Sequence, residues 1–477
     1  MKTSTIVAST IGVLAVATIG YALYFDSKRR NDPEFRRKLK KERKRVQKLA
    51  KEEANKLSTI TTQTVEEALA SIKDEDFPTS MEEREKFCME QLSAGESLFT
   101  QGPENYGTAA ICFYKALKVY PAPAELVMVY QKTIPSEVFA LVMGMLSKDV
   151  QSKQEKYYTV FPPKEMNVKV DEKPEGVTAE GEKVMRRGLA ATKSFSAGQT
   201  IYSEAPVISS LEPSLEGDFC HYCLKQIAGE EPSVPCAKCR DVVFCSEKCK
   251  TMAGQEFHDI LCTKDSEDAS SPERSLSEYT KVTRKLVPEM LAKFLVKMVH
   301  EESLNSGAEY NSFDHMERLR YLEIPPSAEE EKEMSLLKVA LGSNIPGIDE
   351  FITEERYMLM KGRLLYNLYG ISTSLDPQHE IESLPERLRS VRDGPITGAG
   401  FYRVSSYLMH SCEPNVKITF SDKSHTLSLE AIREIKEGEE LVVGYIKSDK
   451  VSTEDRRLQL FMNYRFRCMC PLCETTD

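Results

Sequence analysis

Eight side chains that could bind a metal lie close together near the middle of this sequence. They form four short pairs: Cys220 and Cys223, Cys236 and Cys239, Cys245 and Cys249, and His258 and Cys262. Each spacing lets two side chains reach one ion, and a tetrahedral structural zinc site takes four such ligands. The eight ligands therefore fit two zinc ions with no vacant position, which indicates a structural rather than a catalytic role. The spacing leaves two arrangements open, because either consecutive or alternate pairs can share an ion.

Four further cysteines could form a third site: Cys412, Cys468, Cys470 and Cys473. Four thiolates suffice for one more structural zinc, which would tie the C-terminal tail to a distant segment. The alternative for Cys412 is a buried thiol. Of the 13 cysteines, only Cys88 and Cys112 stand apart from these groups. Metal-ligand spacing in a chain of 477 residues is typical of a reducing compartment.

Strand and turn patterns flank the paired cysteines on both sides. Upstream, residues 186–202 predict a strand, a turn and a second strand, and downstream, residues 402–446 alternate strands with turns. The region between, residues 275–370, predicts helices. The two strand-rich parts therefore belong to one split β-rich domain with a helical insertion.

Three motifs accompany these elements, namely RGL at 187–189, HSCEPN at 410–415 and CxCxxC at 468–473. Together with the order of the paired ligands and Phe244 before the fifth cysteine, they resemble the SET and MYND domain family. The resemblance covers about residues 180–265 and 395–477. It implies a SET methyltransferase fold interrupted by a MYND zinc finger, with S-adenosylmethionine as cofactor and a protein lysine as substrate.

The same resemblance assigns roles to individual residues. It implies that Tyr445 is catalytic, with a hydroxyl that orients the amine and the methyl group. It implies cofactor contacts from Arg187, Gly188, Leu189, Met409, His410 and Phe466. It also implies alternating zinc pairing, with one ion on Cys220, Cys223, Cys245 and Cys249 and the other on Cys236, Cys239, His258 and Cys262. Cys412, Cys468, Cys470 and Cys473 would hold the third ion.

The sequence departs from this family at the cofactor site. Met409 stands where the family usually has an asparagine that bonds to the cofactor, and Gly444 stands where a larger or polar residue is common. An enzyme, a protein-lysine N-methyltransferase, is therefore one prediction, and an inactive SET–MYND half that serves as a protein-interaction module is the alternative. Charges around the paired cysteines are mixed, so no nucleic-acid binding is expected.

The N-terminal end predicts a membrane anchor. Residues Ile6 to Phe25 carry no charge, and twenty residues of helix span about 30 Å, the thickness of a bilayer core. From Lys28 to Lys51 there are thirteen basic residues against three acidic ones, in a chain of net charge −10. Because basic flanks stay cytosolic, we expect the C-terminal domains in the cytosol. A cleaved signal peptide is the alternative interpretation.

Residues 81–150 predict a small helical domain, with helices at about 82–100, 105–120, 124–133 and 135–148. Gly102-Pro103 separates the first two helices, and Pro121 ends the second. Together with the anchor and the basic segment, this stretch resembles the small presequence receptor of the mitochondrial TOM complex, of the fungal type. The resemblance implies a tetratricopeptide-like fold and a groove for an amphipathic presequence, lined by Met89, Leu92, Val119, Leu126, Val129 and Tyr130. The amide that vertebrate members place beside this groove falls on Ala122.

These predictions describe a multidomain α + β protein. In chain order it has a transmembrane anchor (5–25), a basic helical segment and linker (26–80), the tetratricopeptide-like domain (81–150), a linker (151–180), the first SET part (181–219), the MYND finger (220–262), a helical insertion (263–394), the second SET part (395–447) and a zinc-binding post-SET tail (448–477). We expect a single-pass protein of the mitochondrial outer membrane that contacts lipid through its anchor. Expected partners are presequences, preproteins, other TOM subunits and a protein lysine substrate; a mis-joined gene model is the alternative to a true fusion.

Overall fold

The computed structural model describes residues 61–72, 77–78, 81–120, 123–177, 183–227, 233–239, 242–263, 272–304, 310–373, 395–448 and 451–474. The chain divides into two compact units, residues 1–156 and 157–477. The predicted anchor at 5–25, the basic segment up to residue 60, and Ala122 lie outside the described residues. Among the helices of the described ranges, none is long and apolar enough to cross a bilayer.

In its described residues the first unit has five α-helices: α1 Thr61–Ala70, α2 Met81–Gln101, α3 Tyr106–Val119, α4 Pro123–Thr133 and α5 Ser136–Val160, whose last turn belongs to the second unit. Gly102 separates α2 from α3 with a φ of 136°, a conformation that favours glycine. Phe113 and Tyr130 form the centre of the core, with ring centroids 5.0 Å apart. A Cβ at Gly95 would lie 2.9 Å from the Phe113 ring, so α2 and α3 pack closely because this residue is small.

Both predicted linkers contain regular structure. Helix α1 lies within the expected linker before residue 80, and its Val65 is buried in the core of the first unit. The apolar residues Val65, Ala68, Leu69 and Ile72 recur at helical spacing and pack together, a signal that the polar composition of the segment obscured. The linker predicted at 151–180 is also wrong, since α5 continues to Val160 and a strand begins at Val168.

The part of the second unit that the structure describes contains twelve strands: β1 Val168–Val177, β2 Lys183–Ala191, β3 Thr200–Glu204, β4 Ile208–Leu211, β5 Val234–Pro235, β6 Val243–Phe244, β7 Leu368–Ile371, β8 Gly398–Phe401, β9 Met409–His410, β10 Val416–Thr419, β11 Leu427–Ala431 and β12 Glu440–Val443. They form small sheets of order β1-β2-β12-β9, β10-β11-β3, β4-β8-β7 and β5-β6. Each sheet except β5-β6 joins strands that lie before the paired cysteines of residues 220–262 with strands that lie after them. In the first sheet, the local hairpin β1-β2 is extended by β12. The split β-rich domain expected from the sequence is therefore assembled from distant segments.

The described α-helices of this unit that have four residues or more are α6 Glu247–Ala253, α7 Pro272–Thr283, α8 Leu286–Ser303, α9 Ser312–Glu317, α10 Ala328–Gly342, α11 Ile348–Phe351, α12 Glu354–Asn367, α13 Thr453–Tyr464 and α14 Pro471–Glu474. Helices α7, α10 and α12 meet at Glu333, whose side chain is fully buried. Its carboxylate accepts hydrogen bonds from the hydroxyls of Tyr357 (2.6 Å) and Tyr279 (3.1 Å) and pairs with Lys361 (2.5 Å). The buried charge is thus neutralised and hydrogen-bonded, as burial requires.

Helix α12 runs against the segment before α10 through a glycine. The amide of Leu322 donates to the carbonyl of Gly362 over 3.0 Å, and a Cβ at Gly362 would collide with the Leu322 carbonyl oxygen. This close approach holds the helical insertion together next to β7, which directly follows α12.

We predict that Gly362→Ala destabilises the protein by about 2 kcal/mol, because backbone must move to admit the methyl group. Gly342→Ala, at the end of α10 where a Cβ meets nothing within 4 Å, is the matched control and should be neutral or stabilising by up to about 1 kcal/mol. Urea unfolding of the intact chain, followed by near-ultraviolet circular dichroism, measures both. Equal midpoints for the two variants would contradict the contact.

Candidate active site and metal clusters

Strand β12 brings three distant motifs to one place. It pairs with β2 through Leu441 and Leu189, and in parallel with β9 through Val443 and His410. Tyr445 follows two residues after β12 ends. The RGL motif, the HSCEPN motif and the predicted catalytic tyrosine therefore lie on neighbouring strands or at their ends.

An aromatic cluster surrounds Tyr445. Its ring centroid lies 4.7 Å from that of Tyr464, 5.4 Å from His410 and 6.4 Å from Phe466. The rings of His410 and Phe466 are 6.1 Å apart. The structure thus brings together three residues that the sequence singled out, Tyr445, His410 and Phe466, although they lie up to 56 positions apart in the chain.

Tyr445 is fixed at both ends. Its hydroxyl donates to the carbonyl oxygen of Leu408 over 2.5 Å, and its backbone amide donates to Nδ1 of His410 over 2.9 Å. Burial, together with the neighbouring hydroxyls of Tyr369, Tyr366 and Tyr464, raises the pKa of the Tyr445 phenol well above its ordinary value. The phenol is therefore neutral at physiological pH and acts as a hydrogen-bond donor.

Gly188 and Met409 face each other across the strands. A Cβ at Gly188 would lie 3.1 Å from Cγ of Met409 and 3.0 Å from a carboxylate oxygen of Glu440. Met409 is itself buried, so its thioether side chain fills the space beside the glycine where the family's asparagine would offer polar atoms. A larger residue at position 188 would therefore require the side chains of Met409 and Glu440 to move.

The other two predicted cofactor residues on β2 have partners of their own. The guanidinium of Arg187 lies 4.7 Å from the ring centroid of Tyr158 and forms an ion pair with Glu172. Leu189 is fully buried and pairs with Val170 on one side and Leu441 on the other. The Leu189 side chain is therefore part of the core, whereas the Arg187 side chain is partly exposed and held by these two contacts.

The tail cluster, Cys412, Cys468, Cys470 and Cys473, lies directly behind this site. The four sulfur atoms lie within 4.8 Å of one another, and all four residues are buried. Helix α13 holds the tail in place, since Arg457 donates to the carbonyls of Cys468 (3.4 Å) and Cys473 (3.0 Å). The hydrogen bond from Cys412 lowers the pKa of the Cys468 thiol to about 3 and His410 adds to this, so the cluster favours a thiolate.

The eight ligands of residues 220–262 form two more clusters. The first cluster consists of Cys220, Cys223, Cys245 and Cys249, and the second cluster consists of Cys236, Cys239, His258 and Cys262. Within each, the ligand atoms lie within 4.8 Å of one another. The first pair thus joins the third and the second pair joins the fourth, which is the alternating arrangement. Hydrogen bonds from Cys220 and Cys223 lower the pKa of Cys249 to about 4.

The predicted groove residues of the first unit divide into two groups. Met89 is 41% exposed, and Leu92, Val119 and Val129 are half-buried. Leu126 and Tyr130 are buried in the core, where the Tyr130 hydroxyl donates to the carbonyl of Phe113 over 3.1 Å. Four of the six residues are therefore at least partly exposed, and two are buried in the core.

Two residues of the second unit were not assigned from the sequence. Tyr464 is the closest ring to Tyr445, and it lies two residues before Phe466 in the tail. Asn415, the last residue of the HSCEPN motif, donates to the carbonyl of Glu440 over 2.8 Å and accepts from the amide of Val442 over 2.8 Å. Asn415 therefore fastens the motif to β12, and its place within a recognised motif was the available signal.

Comparison with known proteins agrees with this geometry. A family model described as the MAS20 protein import receptor matches residues 8–159, and a SET domain model matches residues 186–446. Over 161 residues, the chain is 39% identical to the mitochondrial import receptor subunit tom20 of Neurospora crassa, which covers 33% of this chain and 88% of that protein. Over 279 residues, it is 28% identical to a SET and MYND domain-containing protein of Dictyostelium discoideum, covering 57% of this chain and 76% of that protein.

A third relative is the histone-lysine N-methyltransferase SMYD3 of Mus musculus, 25% identical over 293 residues that cover 61% of this chain and 59% of that protein. Both resemblances found in the sequence are thereby confirmed. The chain belongs to the MAS20 import receptor family through its N-terminal part and to the SET domain family through the rest.

Proposed function

We propose that residues 157–477 form an S-adenosylmethionine-dependent methyltransferase that modifies a lysine of a protein substrate. The observation that carries this proposal is the convergence of Tyr445, His410 and Phe466 beside the strands β2 and β9, which flank β12 and hold Gly188 and Met409. Methyl transfer from a sulfonium to an amine needs a close in-line approach and oriented dipoles. A buried, neutral tyrosine held at both its amide and its hydroxyl supplies such an oriented group.

The residues of the site fit the cofactor with one departure. Phe466 offers a ring face to an adenine and the backbone of His410 lies beside it, and the bare backbone at Gly188 allows close approach of the methionine part. S-adenosylmethionine, when bound, would supply the methyl group and its electrophilic sulfonium. Met409 provides no strong donor or acceptor, and a cofactor polar group left unpaired there costs about 1–3 kcal/mol.

We predict that Met409→Asn tightens S-adenosylmethionine binding about five- to tenfold, because the amide restores a polar partner.

Tyr445→Phe should lower kcat at least about tenfold with little change in cofactor affinity, since the lost hydroxyl acts on the reacting groups. Calorimetry and methyl-transfer assays on the full-length protein measure the two effects, with Tyr321→Phe, at a 50% exposed position, as control.

The inactive interaction module is the competing function of this half. It would be supported by an absence of heat and of thermal stabilisation at millimolar S-adenosylmethionine in both the wild type and Met409→Asn. The enzyme proposal would then be wrong, because neither chain would bind the methyl donor.

We propose that the three thiolate-rich clusters hold one structural zinc ion each, two of them within a MYND finger. The donor sets carry this proposal: four sulfurs in two clusters and three sulfurs with one imidazole in the other are typical of closed zinc sites. Mutual hydrogen bonding lowers the pKa of Cys249 and Cys468 and raises that of their partners Cys223 and Cys412, so one thiol in each of these two clusters is poised to ionise first.

The purified chain should therefore contain three zinc ions, and Cys412→Ser should contain two, because loss of one thiolate leaves an incomplete tetrahedron. Cys112→Ser is the control, since this half-buried cysteine lies outside the clusters and its loss should leave the content at three. Elemental analysis by mass spectrometry gives the ratio. Equal zinc in the wild type and Cys412→Ser would exclude the tail site.

For the first unit, we propose a presequence receptor of the mitochondrial outer membrane, anchored by residues 5–25 and delivering preproteins to the TOM translocase. The relatives at 39% and 34% identity are named mitochondrial import receptor subunits, which supports this role. The accessible apolar residues Met89, Leu92, Val119 and Val129 are available for the apolar face of an amphipathic helix. Burying one leucine of such a helix contributes about 1.5–3 kcal/mol before ordering costs.

Val129→Asp should weaken binding of a labelled presequence peptide at least about tenfold, because a carboxylate replaces apolar contact surface. We choose Val129 over Leu126 because Leu126 is only 7% exposed and its replacement would disturb the core. Val150→Asp, at a 57% exposed valine of α5, introduces the same charge elsewhere on the unit. Fluorescence anisotropy with the detergent-solubilised chain compares them; equal affinity of Val129→Asp and wild type contradicts the groove assignment.

A further inference from the structure

The side chain of His410 links the tail cluster to the candidate catalytic tyrosine. Its Nδ1 accepts the backbone N–H of Tyr445 over 2.9 Å, and its Nε2 lies 3.3 Å from Sγ of Cys412. A backbone amide can only donate, so Nδ1 must carry a lone pair. In the neutral imidazole the proton is then on Nε2 and is directed at the sulfur of Cys412. Both ends of the ring are thereby committed.

The sulfur at the far end of this link belongs to a ligand set. Sγ of Cys412 lies 3.7 Å from Sγ of Cys473 and 4.0 Å from Sγ of Cys468. A metal ion held by the four sulfurs would fix the position of the Cys412 sulfur and keep it an unprotonated acceptor for Nε2–H. A free thiol can rotate about its side-chain bond and offers a weaker acceptor.

The other end fixes the tyrosine. Residues 408–410 supply both anchors of Tyr445, since the carbonyl of Leu408 receives its hydroxyl and His410 receives its amide. Cys412 follows two residues later in the same segment, and the amide of the intervening Ser411 donates to the carbonyl of Val443 over 3.1 Å. A shift of the Cys412 sulfur is therefore passed to Tyr445 through one imidazole ring.

We infer that His410 is a positioning residue through which occupation of the tail cluster by metal sets the placement of Tyr445. The inference rests on the proposed methyl transfer at Tyr445. It goes beyond a structural role for the metal, because it makes the reacting geometry depend on a metal ion that takes no part in the reaction itself. It assigns to the His410 side chain a task separate from any backbone contact with the cofactor.

Two substitutions separate the two hydrogen bonds. In His410→Asn the amide oxygen occupies about the place of Nδ1, so the acceptor for the Tyr445 amide is kept and the donor to Cys412 is lost. In His410→Gln the amide nitrogen occupies about the place of Nε2, so the donor to Cys412 is kept and the acceptor is lost. Each variant is therefore the matched control for the other.

The first measurement uses cobalt in place of zinc and needs no activity. The thiolate-to-cobalt charge-transfer bands respond to hydrogen bonding at the sulfur, so His410→Asn should shift these bands relative to wild type. His410→Gln should leave them in place. Unchanged bands in His410→Asn would overturn the inference, because the Nε2–H bond to the thiolate would then be absent.

The second measurement is a double-mutant cycle on kcat of the full-length protein. Cys412→Ser should lower kcat about tenfold or more in the wild-type background and less than about twofold in the His410→Asn background, where the link is already cut. Independent, multiplicative effects would overturn the inference even if the enzyme is active. If the wild type binds no S-adenosylmethionine, the proposed function fails by itself, and the cobalt bands still report whether the link exists.

Discussion

The backbone hydrogen bonds of β12 are the constraint on which the second unit depends. This four-residue strand has β2 on one side and β9 on the other, so it joins segments separated by about 250 residues. Asn415 strengthens the junction from within the HSCEPN segment by bonding to Glu440 and Val442. Short strands contribute little stability alone, and here the motif residues themselves complete the pairing. The residues that define the candidate site are thus also residues that hold the sheet together.

The ligand clusters lie where the strands are short. In the described residues of the segment 220–262 the strands are two residues long, and helical residues run from Glu247 to Leu261 through a π-helical turn. Leu224, Phe244 and Phe257 are buried there and belong to the core of the second unit. If the clusters hold metal as proposed, thiolate–metal bonds would add cross-links to this packing, and the tail cluster would do the same for α13 and α14. Arg457, bonded to two carbonyls of the cluster, shows how closely α13 follows it.

The sequence predicted most of the site because its signals were local. Short cysteine spacings and the HSCEPN and RGL motifs pointed to the candidate ligands and strand ends, and the three groups of side chains come together with the expected membership. Which cysteine pairs share a cluster was visible only in the fold, since spacing alone left two arrangements open.

Tyr464 was missed because its importance comes from packing against Tyr445, a contact between residues on different elements. Helix α1 was missed for the opposite reason: its helical periodicity was present, but Thr and Glu residues concealed it. The linker at 151–180 hid a strand that acquires its partner only when β2 folds beside it.

If the first and second clusters each bind a zinc ion as proposed, their alternating order couples the two binding events. The pair Cys236 and Cys239 lies inside the loop that the first cluster closes, and Cys245 and Cys249 lie inside the loop that the second closes. An ion bound by either cluster closes a loop that contains ligands of the other cluster. Binding the second ion then costs less loop-closure entropy than binding the first. Half-filled molecules are therefore disfavoured. When zinc is scarce, we expect the population to split between saturated and empty fingers rather than share the ions evenly.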